Sequence, residues 1–344
     1  MPSAAAKPTT LRRARREFGL ATLTLALFAV VALQFPNFAS GRSILSLVDD
    51  TALLVLLALG ETLVILTRAI DLSMAANVAF SGMIVALLNR AHPDLSLWVL
   101  VPLSASIGAL LGTFNGLLVW LLEVPSIVVT LGTMAIYRGA VYLASGGTWV
   151  TSGQMSASFQ GLVRHLLLGV TTLSWLALLG ALLAWWLLRF TNAGRGFYVA
   201  GNNPAAAVYA GVDVGRAQAR AFALAGAIAG LCGYLWVARF AVAYTDVANG
   251  FELQVIAACV IGGISIGGGV GTVAGVVLGC LFLGVLKNAL PLLGVSPFWQ
   301  TALSGLVITV AVIINARDAT PGRRRILEPR TLAQAGTPGA RPSP

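Results

Sequence analysis

The chain has 344 residues and a formal net charge of +10, yet only 10% of it is charged and 58% is hydrophobic, with a mean hydropathy of +0.87. Soluble domains carry about 25% charged residues, so this composition excludes an ordinary soluble enzyme and predicts an all-α, polytopic integral membrane protein. The surplus Arg lies between apolar runs, where it sets topology, and gives no ground for nucleic-acid binding.

In chain order, residues 1–17 are a basic tail whose Arg12, Arg13, Arg15 and Arg16 hold the N-terminus in the cytoplasm by the positive-inside rule. The apolar run that follows has no small-residue cleavage site and reads as a first span, not a removable signal. Spans are expected at 18–36, 51–67, 72–89, 95–122, 125–144, 171–188, 221–237, 252–266, 270–290 and 298–315. That makes about ten, each near the ~20 residues that cross the hydrocarbon core, with eight or nine full crossings as the alternative. Polar segments at 145–164 and 239–251 interrupt them. The transmembrane domain is thus 18–316, and 317–344, with Arg323, Arg324 and Arg325, is a second cytoplasmic tail expected to be disordered. With the N-terminus inside, the Arg groups at 12–16, 189–220 and 317–325 all fall in the cytoplasm, while Asp49, Asp50, Asp94, Asp246 and Glu252 fall outside.

The spans are rich in small residues, notably at 104–116, 221–233 and 262–279, which lets helices approach closely and predicts a packed bundle. The glycines of 262–269 are too dense for a regular helix, and irregular backbone at membrane depth is tolerated only inside protein or beside a wet cavity. Arg68 and Asp71 interrupt an apolar run and are functional candidates by default, the alternative being a tight cytoplasmic turn with a local ion pair. Glu61, Arg138 and Lys287 are the other main ionisable groups of the spans, each placed where it could snorkel to an interface. Cys232, Cys259 and Cys280 lie in apolar segments without metal or disulfide spacing and read as small buried hydrophobes.

The longest interior stretch that cannot sit in lipid is 191–220. Within it Asn203 suits an N-cap, Pro204 the first helical position, and Gly211 the left-handed residue that ends a helix. The intervening Ala205, Ala206, Ala207, Val208, Tyr209 and Ala210 give a helix about two turns long, too short to be stable without a partner surface. It is either a docking element or an ordinary loop helix.

No G-x-x-x-x-G-K-[ST] occurs, so ATP is not bound here through a P-loop, and no H-E-x-x-H occurs. An intramembrane enzyme is not expected, nor are catalytic residues, a cofactor or a metal site in this chain.

Several motifs together carry a family resemblance: Gly60-Glu61-Thr62-Leu63 with Ile70-Asp71-Leu72-Ser73; Val124-Pro125-Ser126 leading to Thr130-Leu131-Gly132-Thr133 and Tyr137-Arg138-Gly139; Gly194-Arg195 with Gly201-Asn202-Asn203-Pro204-Ala205-Ala206; and Glu252 followed by Ile256-Ala257-Ala258-Cys259-Val260-Ile261-Gly262-Gly263. In this order they resemble the permease subunit of bacterial ABC importers for monosaccharides, the ribose/xylose/galactose group, over residues 20–315. One departure is Met74-Ala75-Ala76, where the family continues Val-Gly-Ser. The rhamnose importer permease is similar at Tyr137-Arg138-Gly139, Gly146-Gly147-Thr148-Trp149-Val150 and Asn288-Ala289-Leu290-Pro291, and the autoinducer-2 importer permease at the first two.

The resemblance implies a multi-pass protein of the bacterial inner membrane, importing a monosaccharide, with a rhamnose-type sugar as the main reading and autoinducer-2 as the alternative. An ion-coupled secondary carrier is the reading from outside the family. The implied partners are an ABC ATPase subunit that holds ATP and Mg, a periplasmic sugar-binding protein, a second permease chain, identical or related, and the lipid bilayer. It makes Gly194, Arg195, Asn202, Asn203, Pro204, Ala205, Ala206, Tyr209 and Gly211 the ATPase-coupling set. Asp71, Ser73, Asn77, Asn115, Thr130, Thr133 and Asn288 are polar residues suited to a sugar pathway, interhelical hydrogen bonds being the alternative for each. Trp149, Arg164, Tyr244 and Asp246 are candidate contacts for the binding protein, or else cover helix ends.

Overall fold

The apolar runs form helices, and the computed structural model describes residues 9–296 and, beyond them, residues 299, 302, 305, 306 and 309. In order these helices are α1 (Thr9–Gln34), α2 (Gly41–Leu66), α3 (Met74–Ala91), α4 (Leu97–Leu121), α5 (Ser126–Ser145), α6 (Ala157–Arg164), α7 (Thr172–Phe190), α8 (Asn192–Asn202), α9 (Pro204–Tyr209), α10 (Val214–Phe240), α11 (Phe251–Ile261) and α12 (Val273–Ala289). Eight of those described are long and apolar enough to cross a membrane, namely α1–α5, α7, α10 and α12, and α11 is a shorter apolar helix. The protein is all-α and polytopic. The tail at 317–344 and nearly all of the expected span at 298–315 lie outside the described residues.

Local chemistry sets the boundaries. The hydroxyls of Ser40, Ser96, Thr171, Thr191 and Thr272 accept first-turn N–H groups of α2, α4, α7, α8 and α12, and the Asp213 carboxylate does so for α10. Helix α1 starts at Thr9, so it extends into the segment expected as a tail. The two-residue strands β1 (Val150–Thr151) and β4 (Val242–Ala243) pair antiparallel, as do β2 (Leu166–Leu167) and β3 (Val170–Thr171). The spans expected at 252–266 and 270–290 are both shorter at their junction, because the glycine-rich stretch between α11 and α12 is irregular from 262 to 272. Its backbone is tied to the bundle where the Gly269 N–H donates to the Leu66 carbonyl at 2.9 Å, while Gly267 and Val270 are exposed.

The core runs through α2, in which every residue from 51 to 66 is buried, and α10, which packs on α2, α3 and α4. The contact of α4 with α10 is backbone on backbone. A Cβ at Gly108 would lie 2.3 Å from the Gly226 carbonyl oxygen, and one at Gly112 would lie 2.2 Å from that of Phe222. Ser104 Oγ donates to the Gly230 carbonyl at 2.6 Å across the same seam. All three cysteines are free and buried.

Alternation of the spans gives two faces. One holds the start of α1, the turn at 67–73, the α4–α5 turn, residues 191–213 and the 262–272 loop; the other holds 35–40, 92–96, 146–171 and 241–250. Helix α11 completes the alternation despite its length, since Phe251 at its start packs on Trp236 late in α10, while the loop after it reaches the end of α2.

Two outcomes test this architecture. Gly108→Ala should cost about 1–3 kcal/mol, the usual penalty of overpacking, and lower the thermal midpoint in detergent. Gly139→Ala, which meets nothing within 4 Å, should leave that midpoint unchanged. Reporter fusions at residues 10 and 205 should report cytoplasm and a fusion at 155 periplasm; a periplasmic signal at 205 refutes the threading.

Candidate functional site

The face with residues 191–213 is built around two short helices. Gly194 near the start of α8 is buried, and a Cβ there would lie 2.2 Å from the Leu187 carbonyl oxygen, so this glycine lets α8 fold back on the end of α7. Its place is in packing, not at the surface. Arg195 is exposed and bonded to Asn192. After Asn202 the chain enters α9 as the sequence predicts. The Asn203 side chain accepts from the Ala206 N–H at 3.1 Å, Pro204 occupies the first turn, and Gly211 is left-handed at φ +75°. Only Ala207 of α9 is buried in the chain. Ala205, Ala206, Val208 and Tyr209 are exposed, Tyr209 at 93%. Beside α9 a cleft of about 810 Å³ opens between it and the α4–α5 turn, lined among others by Arg68, Trp120, Glu123 and Asp213. The Arg216 guanidinium stands 5.7 Å over the Trp120 ring.

Behind this surface lies the turn at 67–73, and it holds no Arg68–Asp71 ion pair. Arg68, left-handed at φ +65°, donates from Nε to the carbonyls of Gly201 (2.6 Å) and Gly267 (2.7 Å), and from Nη2 to that of Asn202 (3.2 Å). Asp71 instead accepts from the Ser73 N–H (2.9 Å) and hydroxyl (2.6 Å), and its own N–H donates to Glu61 Oε1 at 3.0 Å. Glu61 is fully buried and reaches no interface, contrary to the snorkelling expectation.

The polar residues proposed for a sugar pathway fall into two groups. Asp71, Ser73, Asn77, Asn115, Thr130 and Thr133 are all buried and bonded to protein. Asn115 Nδ2 donates to Ser73 Oγ at 2.7 Å and Tyr137 Oη donates to Asn115 Oδ1 at 3.1 Å, joining the turn to α4 and α5. Asn77 donates to the Gly108 carbonyl at 3.1 Å, Thr130 to that of Ile70 at 3.2 Å, and Thr133 to that of Thr130 at 3.4 Å. Their geometry is that of interhelical and intrahelical ties. Asn288 differs: it lines a cavity of about 620 Å³ at the other face, with Asp50, Gln254, Phe251 and Lys287.

On that other face the two polar segments meet. The β1–β4 ladder pairs Val150 with Ala243, and Trp149 stacks on Tyr244 with ring centroids 5.3 Å apart. Arg164 donates to the Arg239 carbonyl at 3.2 Å, and Asp246 is exposed. Beside them Arg239 bridges Asp49 and Asp50, and Arg138 donates to the carbonyls of Thr245 (3.1 Å) and Val247 (2.7 Å). The Arg239 pairs were not anticipated, since nothing in spacing links residues 190 positions apart. Helix α8 was missed as well; the alternation of Gly194, Phe197, Ala200 and Gly201 on its buried side was the available signal.

As a string, Gly263-Ile264-Ser265-Ile266-Gly267 matches the G-x-S-x-G of a nucleophile elbow, which needs a strand-to-helix turn. Here it joins two helices, and His92 and His165 both stand at the opposite face. No group of three metal-ligating side chains occurs among the described residues.

Residues 43–312 match the family model described as branched-chain amino acid transport system, permease component. Similar curated proteins are autoinducer 2 import system permease proteins LsrC. That of Enterobacter sp. (strain 638) is 37% identical over 88% of this chain and 87% of its own, and that of Escherichia coli O157:H7 is 35% identical over the same shares. The one from Yersinia pseudotuberculosis is 35% identical over 85% and 82%. No solved structure matches the chain.

Proposed function

The chain belongs to the family of transport-system permease components, as a multi-pass protein of the inner membrane, and we propose that it is the membrane-spanning subunit of an ATP-driven importer of autoinducer 2. The relatives carry the substrate reading. Their names favour autoinducer 2 over the rhamnose-type sugar that the sequence motifs put first.

The observation that supports the mechanism best is α9. A capped helix of six residues with exposed Ala205, Ala206, Val208 and Tyr209 is a surface awaiting a partner. That partner is a separate ABC ATPase, which holds ATP and Mg. Closure of the ATPase pair moves α9, and this chain and a second permease chain re-pack to open outward. A periplasmic binding protein selects the substrate and docks on the other face, where Trp149, Arg164, Tyr244 and Asp246 stand together around the β1–β4 ladder. Of the pathway candidates, Asn288 is the one that opens on a cavity.

Ala206→Glu places a charge on the docking face, and left unpaired it costs several kcal/mol there; Gly211→Val forces a β-branched residue into a left-handed conformation. Both variants should insert normally and lose ATPase co-purification and transport. Wild-type assembly and rate in Ala206→Glu refute the coupling role. In proteoliposomes of the complete wild-type complex, ATP-driven uptake of autoinducer 2 should exceed that of rhamnose; the reverse order returns the rhamnose reading. Charge reversal at Arg164 and Asp246 should weaken stimulation of ATP hydrolysis by the loaded binding protein. Full stimulation in both variants removes these residues from that interface.

A further inference from the structure

The turn between α2 and α3 bonds to more separate elements than any span length requires. Its Leu66 carbonyl accepts the Gly269 N–H at 2.9 Å, and its Thr67 carbonyl accepts from Gln218 of α10 at 3.0 Å. The Ile70 N–H donates to Ser126 Oγ at the start of α5 at 3.1 Å, and the Ile70 carbonyl accepts from Thr130 one turn on. Through Ser73 it reaches Asn115 of α4, and through Asp71 it reaches Glu61 of α2. The remaining neighbour is the end of α8, the two residues before the cap of α9, and Arg68 makes the side-chain bonds to it. Its three acceptors are the carbonyls of Gly201 and Asn202 on one side and Gly267 on the other.

We propose that Arg68 is the joint through which movement of α9 reaches the membrane helices. It is a positioning residue: it touches neither substrate nor nucleotide. The inference rests on the coupling role given above to α9. The geometry fits the task in three ways. First, Asn202 and Asn203 are consecutive, so a displacement of α9 is felt at the Arg68 acceptors with one residue between α9 and Asn202. Second, the contact leaves no slack, since a Cβ at Gly201 would lie 1.8 Å from the Leu66 carbonyl oxygen and 2.6 Å from the Gly269 nitrogen. Third, a guanidinium is a planar fork that can hold several carbonyls at once, whereas an ammonium is a point donor. The left-handed backbone of Arg68 aims the side chain out of the turn toward α8, and such a conformation in a non-glycine residue persists only where its surroundings over-determine it. From the turn the displacement passes to α5 through Ile70 and to α4 through Ser73 and Asn115.

The test uses the complete transporter in proteoliposomes, with ATPase, loaded binding protein and this chain. Three quantities are read: ATPase co-purification, stimulated ATP hydrolysis and substrate imported per ATP. Arg68→Ala should keep the ATPase bound and hydrolysing, while import per ATP falls about tenfold, within the range that coupling between sites usually spans. Arg68→Lys retains the charge but holds fewer carbonyls, so its import per ATP should fall between wild type and Arg68→Ala. It also serves as the measured variant if Arg68→Ala does not accumulate. A wild-type ratio in either recovered variant overturns the proposal. Loss of ATPase co-purification in Arg68→Ala or Arg68→Lys also overturns it, and makes Arg68 an assembly residue. Failure of the coupling role itself has a different signature, a wild-type complex in which Ala206→Glu changes nothing.

Discussion

The bundle depends on the seam where α4 and α10 meet backbone to backbone at four glycines. Gly108, Gly112, Gly226 and Gly230 each place backbone where any Cβ would collide with the facing helix. Lipid offers no hydrophobic drive for helices to associate, so close packing and interhelical hydrogen bonds must supply it. The seam has both, since Ser104 donates into it at 2.6 Å and Asn77 reaches the Gly108 carbonyl at 3.1 Å from α3. The same device recurs where Gly82 meets Gly233, and where Gly262 meets Gly275 and Gly279. Around this backbone-on-backbone centre the outer helices α1, α5 and α7 leave much of their surface exposed, as lipid or a second chain requires.

Close packing fixes what the buried polar groups do. Ser73, Asn115 and Tyr137 form a continuous chain of hydrogen bonds from the α2–α3 turn to α5. They serve as ties, and a tie across three elements sets their relative orientation. The polar groups with space in front of them lie elsewhere, at Asn288, Gln254 and Lys287 on one face and around α9 on the other.

Much of the fold was legible because its signals are local. Apolar run length placed most described spans within a few residues, apart from the extra turns at the N-terminal ends of α1, α2 and α10 and the earlier end of α11, and Asn203, Pro204 and Gly211 drew α9 with its caps. The glycine density of 262–269 correctly implied irregular backbone. What stayed hidden depends on pairing across distance. The Arg68–Asp71 spacing suggested an ion pair, but the left-handed turn at Arg68 sends its side chain toward residues 201 and 267, over 130 positions away. The Glu61 contact with Asp71 crosses from helix to turn, and Arg239 reaches Asp49 and Asp50 only after α10 has traversed the bundle. Helix α8 was obscured because three of its eleven residues are glycine, which lowers helix propensity although each small side suits the packing.

These two features, a slack-free seam and a many-handed turn, constrain how the protein can move. Helices in contact through backbone have few side chains between them whose rotamers could change to let them slide, Ser104 being one in the α4–α10 seam. α3 and α4 are thereby held to α10 at their glycine contacts, and the looser joints are those where separate elements meet through hydrogen bonds. One such joint is residues 66–73, which α8, α10 and the glycine loop grip from different directions. Under the coupling role proposed for α9, a short helix acts on a large bundle through this turn. At the far face the Arg239 bridge to Asp49 and Asp50 ties α10 to α2 once more.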